Sequence, residues 1–455
     1  MDSPKSNRKK KKILMFPWLA HGHIFPYLQL AKRILSIKKD LHIHLCTTAV
    51  NIPSITSFLH KHSLQTSIST LPLHLPPTPS LPSHLHTTKN LPSHLHLPLI
   101  QALQTSQPYF SLLLSSLLPD LLIFDVFQPW AASSAASLNI PAVHFSPLGA
   151  TTISYTRQAY NSPSLPPLPS PNPLLLRPSE KQTLDSLFHL LLSEVYPPGP
   201  NSTLINFHLS SDVALLRTIP SLEHNYLNYL SHLLPTKKIL PVGTLVDDNN
   251  DIDNGSDDES DIMRWLGEQE EHSTIYISFG SEYFLSDKEI SELAKGLEIS
   301  GAGFVWVIRG REEVELPEGV MGRGRVVVGW APQERILRHP SVGGFVSHCG
   351  WSSVNESVYH GVPVVGMPVN VNMFVDVKML AEAGVCVEVE REEEGGFKGE
   401  EIGKAINAVL RGERGEGLRR RAKEVSEKMK MEDEAAIHQV ADHLWQLCCK
   451  RDTDI

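Results

Sequence analysis

Residues 344–357 read Gly-Phe-Val-Ser-His-Cys-Gly-Trp-Ser-Ser-Val-Asn-Glu-Ser. An apolar run enters a Gly-containing turn and then a helical segment whose first turn carries hydroxyls at Ser352 and Ser353. In an open α/β sheet, anionic ligands sit at such a junction, where free backbone N–H groups and the positive end of the helix dipole face the crevice. A diphosphate would suit it. The same residues also satisfy a plain capping box, Ser353 with Glu356 three positions on. The chain has no GxGxxG and no GxxxxGK[ST], so dinucleotide and P-loop chemistry lack support.

Outward from this junction, short apolar or β-branched runs recur at 13–16, 43–46, 121–125, 142–145, 274–279, 304–308, 326–328, 363–367 and 386–389, separated by helical stretches. That alternation predicts parallel, doubly wound α/β sheets. Residues 17–26 read as a turn, followed by an amphipathic helix over 27–35. Two Pro-rich stretches, 71–99 and 162–178, read as long irregular loops, the first containing Leu-Pro-Ser-His-Leu-His twice. Residues 246–261 hold eight acidic and no basic side chains and read as a solvated linker. From residue 417 the pattern predicts two helices, the first strongly basic.

The 455 residues allow two or three domains with sizeable cores. With 41% apolar and 20% charged residues the composition is globular, and disorder is excluded as a description of the whole chain. A net charge of −9 supplies no field for nucleic acid or anionic lipid. The longest apolar stretch, 112–127, is broken by Ser, Pro and Asp, so no membrane helix is expected. Five cysteines without metal-type spacing argue against a disulfide framework or a zinc site, and point to a reducing, cytoplasmic setting. Of 22 histidines, 11 precede residue 100, many as His-x-His pairs; only His42 and His44 fall in a predicted strand, and no metal site is expected.

The segment 330–373 resembles the signature of plant family 1 glycosyltransferases. The matching residues include Trp330, Ala331, Pro332, Gln333, His339, Gly344, His348, Cys349, Gly350, Trp351, Ser353, Glu356, Gly361, Pro363 and Pro368. The resemblance extends to Phe279-Gly-Ser281 and to the opening strand and turn. In its details the sequence is most similar to the branch that adds a sugar to the sugar of a glycoside. The resemblance implies a GT-B fold, two Rossmann-like doubly wound domains facing across a cleft. It divides the chain into an amino-terminal acceptor domain (1–245), the acidic linker (246–261), a UDP-sugar domain (262–432) and a carboxyl-terminal helix (433–455) packing back on the first domain. It implies a UDP-sugar donor, a small-molecule glycoside acceptor, no metal or other cofactor, and a monomer.

Carried over residue by residue, the resemblance places Trp330 against uracil, the Ala331 backbone on the base, and Gln333 and Glu356 on the ribose. His348, Ser353 and Ser281 would hold the diphosphate together with the helix N-terminus, and Gly350, Trp351 and Ser352 are expected at the donor. His23 is the implied catalytic base, and Asp125, at the end of a strand, orients its ring and stabilises the imidazolium, a relay like that of a hydrolase triad. His21, Trp130 and Phe145 are expected at the acceptor. The signature normally closes with Asp-Gln, and here Asn372 and Met373 stand in those places. A thioether replaces an amide that would bond a sugar hydroxyl, which favours rhamnose or a pentose over glucose. Two alternatives remain open: a glucosyltransferase acting directly on an aglycone, and a nucleotide-sugar-binding protein without catalysis.

Overall fold

The computed structural model describes residues 10–161, 165–169, 174–196, 202–247, 257–310, 316–393 and 395–450. Thirteen strands among them form two wholly parallel sheets. The first contains β1 (Lys11–Phe16), β2 (Leu41–Thr47), β3 (Ile68–Pro72), β4 (Leu121–Phe124), β5 (Ala142–Ser146), β6 (Val213–Leu216) and β7 (Lys238–Pro241), in the order 3-2-1-4-5-6-7. The second contains β8 (Thr274–Ser278), β9 (Gly303–Ile308), β10 (Gly324–Val328), β11 (Val342–Ser347), β12 (Val364–Gly366) and β13 (Cys386–Glu388), in the order 10-9-8-11-12-13. Because crossovers between parallel strands are right-handed, each sheet reverses its winding once, at β1/β4 and at β8/β11. β1, β4 and β5 are buried almost throughout, as strands covered on both faces must be.

β3, β6 and β7 were not apparent in the sequence pattern. They are four or five residues long and lie toward the two edges of the first sheet, where periodicity has little length in which to show. The first helix starts at His21 rather than at Tyr27, with Pro26 inside it, so His21 and His23 occupy its opening turn. Both Leu-Pro-Ser-His-Leu-His copies form single helical turns, Ser83–Leu85 and Ser93–Leu95, each behind a proline at its cap, and the supposed loop ends in a helix from His96. The second Pro-rich stretch lies partly outside the described residues.

The acidic segment 246–261 differs at both ends from a solvated linker. Val246 is buried, and Asp247 bonds Lys32 Nζ at 2.6 Å and His62 Nε2 at 3.1 Å. A helix begins at Asp257; residues 248–256 lie outside the described residues. The carboxyl-terminal tail is one helix, Gly412–Lys450, not two, with no break near residue 433. Its buried positions Leu418, Ala422, Val425 and Met429 pack with the second half of the chain, while Ile437, Val440, Ala441, Leu444, Leu447 and Cys448 enter the core under β1 and β2. Their three-to-four spacing makes one apolar stripe serve both halves. None of the five cysteines, all among the described residues, forms a disulfide.

Between the two stretches of stripe lies Asp433, whose carboxylate accepts Thr244 N–H at 3.0 Å. Gly243 has φ +79°, and a β-carbon there would stand 2.5 Å from Asp433 Oδ1. Gly243→Ala therefore combines a left-handed backbone with a collision and should cost about 1–3 kcal/mol, read as a lowered denaturation midpoint together with faster proteolysis of the last helix.

Candidate active site

The two winding reversals each deliver one constellation. At the first, Pro17 and Trp18 follow β1 and Asp125 follows β4, adjacent because Phe16 pairs with Phe124. Asp125 is 0% exposed, yet its carboxylate is saturated: Oδ1 accepts Val126 N–H at 2.7 Å, and Oδ2 accepts Trp18 N–H at 2.9 Å and faces His23 Nδ1 at 2.8 Å. An ionised carboxylate only accepts, so in the neutral ring the hydrogen belongs on Nδ1 and the lone pair on Nε2. Phe127, stacked on Trp18 at 4.3 Å between ring centroids, sets an apolar edge 6.2 Å from the His23 ring. The contact with Asp125 fixes the orientation of the His23 ring against a buried carboxylate.

The other residues expected near the acceptor divide. His21 is half-buried with its ring edge to Phe25, and burial, with Lys89 adding to it, pushes its basicity below the ordinary value. Trp130 is partly buried against Phe16 and Phe110, with its indole N–H given to Gln104 at 2.9 Å. Phe145 is wrongly placed at the acceptor: it lies on a strand covered on both faces, is 0% exposed, and packs on Tyr27 within the core. Thr88, beside the repeated turns, donates to Glu282 at 2.6 Å, so this loop touches the opposite half of the molecule.

At the second reversal, Ser281 follows β8 and His348 follows β11. His348 is buried and held close to two glycines, because a β-carbon on Gly280 or Gly350 would approach its Nε2 within 2.7 or 2.5 Å. Burial drops its pKa to about 4, which keeps the ring neutral, and Nδ1 has no partner among the described residues. Gly350 caps the helix Trp351–Tyr359, whose first turn holds Ser352 and Ser353. The capping box read from the sequence is displaced, because Ser353 lies inside the helix and Glu356 turns to Gln333 Nε2 at 2.7 Å. Gln333 Oε1 in turn accepts from Tyr276 at 3.3 Å.

Glu356 is raised to about 7, first by burial and further by Glu334, against the Gln333 hydrogen bond. Trp330 leaves β10 after Gly329 (φ +100°) and exposes 66% of its surface, an unusual state for an indole and one that keeps a flat face free; its neighbour Ala331 is buried. Asn372 donates to Asp376 at 3.2 Å, and the partly buried Met373 packs against the cluster containing Trp351.

The halves meet through polar as well as apolar contacts. Thr152 donates to the buried Asp376 at 2.8 Å, Trp351 Nε1 to the Arg217 carbonyl at 2.8 Å, and Arg217 Nη1 to Ser352 Oγ at 2.7 Å. None of Arg217, Thr152 and Asp376 stood out in the sequence; Arg217 in particular ends the short β6, which carried no signal of its own.

Residues 212–417 match the family described as UDP-glucoronosyl and UDP-glucosyl transferase. The chain is 41% identical over 453 residues to UDP-glucosyltransferase 29 of Panax ginseng, covering 96% of this chain and 97% of that protein. It is 37% identical over 460 residues to flavanone 7-O-glucoside 2''-O-beta-L-rhamnosyltransferase of Citrus maxima, covering 98% and 99%. Its fold superimposes on a UDP-glucosyltransferase from Polygonum tinctorium with a TM-score of 0.77 at 25% identity, over 95% of this chain and 98% of the other. With two Rossmann-like domains of GT-B type and relatives aligned along nearly its whole length, the chain belongs to the plant UDP-glycosyltransferase family and is a UDP-sugar-dependent glycosyltransferase.

Proposed function

We propose that this enzyme moves a glycosyl unit from UDP onto a sugar hydroxyl of a plant specialised-metabolite glycoside, such as a flavonoid glycoside, in one inverting displacement. The observation that carries the reading is the His23 Nδ1–Asp125 bond of 2.8 Å, which leaves Nε2 as a base. The acceptor hydroxyl gives its proton to Nε2 as its oxygen attacks the anomeric carbon. The bond from that carbon to the β-phosphate oxygen breaks on the opposite face, and UDP departs with the electron pair. Asp125 then faces the imidazolium, stabilising the charge formed in the step.

On the donor side, the exposed Trp330 offers a face to uracil, and Gln333 and Glu356 offer acceptors and donors to the ribose. His348, Ser281, Ser352, Ser353 and the amides after Gly350 receive the diphosphate, where negative charge grows as the bond breaks. The choice of a glycoside as acceptor is supported by the Citrus relative, whose name specifies a 7-O-glucoside. Asn372 and Met373 favour a donor with few polar demands at that end of the sugar, rhamnose or a pentose, whereas the name of the Panax ginseng relative favours glucose.

His23→Ala should lower kcat by about 10²–10⁴-fold while UDP binding, followed by calorimetry, stays intact; undiminished turnover would remove His23 as the base. Glu356 must be ionised to accept from both ribose hydroxyls. UDP affinity should therefore weaken as pH falls through about 7 and level off above it, and Glu356→Gln should abolish that dependence. A panel of UDP-glucose, -rhamnose, -xylose, -apiose and -glucuronate with a flavonoid 7-O-glucoside, read by product mass, should show pentosyl or rhamnosyl transfer ahead of glucosyl; glucose alone would overturn the donor assignment.

A further inference from the structure

Arg217 is a cation in an unusual place. It is 3% exposed at the end of β6 in the first sheet, yet it grips the helix Trp351–Tyr359 of the second half at two consecutive residues. Its carbonyl accepts the Trp351 indole N–H, and Nη1 donates to Ser352 Oγ at 2.7 Å. Nε–H is fixed on the Thr244 carbonyl at 2.8 Å, so the guanidinium plane cannot turn away. Among the described residues no carboxylate forms an ion pair with it; burial lowers its pKa to about 10, while Glu356 and Asp433 favour its charge only through the field, which leaves it charged at neutrality. A buried cation without a paired anion is costly, and in this position the nearby start of a helix is also a place for negative charge.

Ser352 is the other half of this contact. A hydroxyl has one hydrogen and two lone pairs. With Nη1–H on one lone pair, its hydrogen must point elsewhere, and among the described residues no acceptor takes it. A hydroxyl that accepts from a cation is also a stronger donor. We propose that Arg217 is a positioning residue for the donor diphosphate: it orients and polarises the Ser352 hydroxyl and adds buried positive charge beside the leaving group. This rests on the donor-site reading given above. It also makes the amino-terminal half, otherwise concerned with the acceptor, a contributor to departure of UDP.

The experiment compares UDP with uridine, which lacks the phosphates, by calorimetry on the full chain. Arg217→Met should weaken UDP binding about 10- to 100-fold, with uridine binding unchanged within about twofold, and should lower kcat in parallel. Arg217→Lys should recover part of both losses. Ser352→Ala, which removes only a partly exposed hydroxyl, should show the same UDP-selective loss, and the double variant Arg217→Met with Ser352→Ala should be little worse than either single one. Equal loss of UDP and uridine would assign Arg217 to domain packing and overturn the proposal, as would unchanged UDP affinity in both single variants. If Arg217→Met does not fold, Ser352→Ala and Arg217→Lys decide alone, a UDP-selective loss supporting and its absence refuting. Failure of the unmodified chain to bind UDP more tightly than uridine would refute the donor-site reading itself, a result visible before any variant is made.

Discussion

A parallel strand reaches its neighbour only through a right-handed crossover over one face of the sheet. A sheet that needs cover on both faces must therefore reverse its winding once, and the loops leaving the strands on either side of the reversal diverge. Here that requirement is met twice. Between β1 and β4 the parting segments hold Asp125 and, in the first turn of the following helix, His23; between β8 and β11 they hold Ser281 and His348. Side chains from distant points in the sequence meet because strand ends are fixed by ladders of backbone hydrogen bonds. Substituting the loops alone would change the chemistry and leave the crevices.

Burial then sets the charge state of each crevice. At the second reversal, desolvation holds His348 neutral, brings Glu356 to the edge of protonation, and depresses the neighbouring Arg217 guanidinium. The surroundings are low in dielectric, where oriented N–H and O–H groups interact more strongly with charge than they would in water. At the first reversal Asp125 is equally buried but is compensated by two backbone amides and one imidazole. One site is built around a satisfied anion and the other around a cation without one.

What the sequence revealed followed from how local each signal was. The run 344–357 carries its strand, its turn and its helix start within fourteen residues, so the junction and with it the fold class could be read from it. His23 and Asp125 were found through a resemblance, since nothing in their own neighbourhoods ties them together across a hundred residues. Phe145 was assigned to the wrong environment because an aromatic near a strand end can face a pocket or the core, and only the layer packed over β5 decides. Arg217 was silent for a related reason: Val-Ala-Leu-Leu is too short to declare a strand, and a lone arginine after it resembles any surface cation. The acidic run misled by composition, which says nothing of whether Asp247 finds Lys32 and His62.

The helix Gly412–Lys450 has a mechanical meaning beyond its packing. At 1.5 Å per residue it is about 58 Å long, a strut seated in both halves with Asp433 clasping Thr244 part-way along. Two bodies joined by such a strut cannot swing as though on a loose tether. Widening the gap between them would bend the rod or lift one end from its bed.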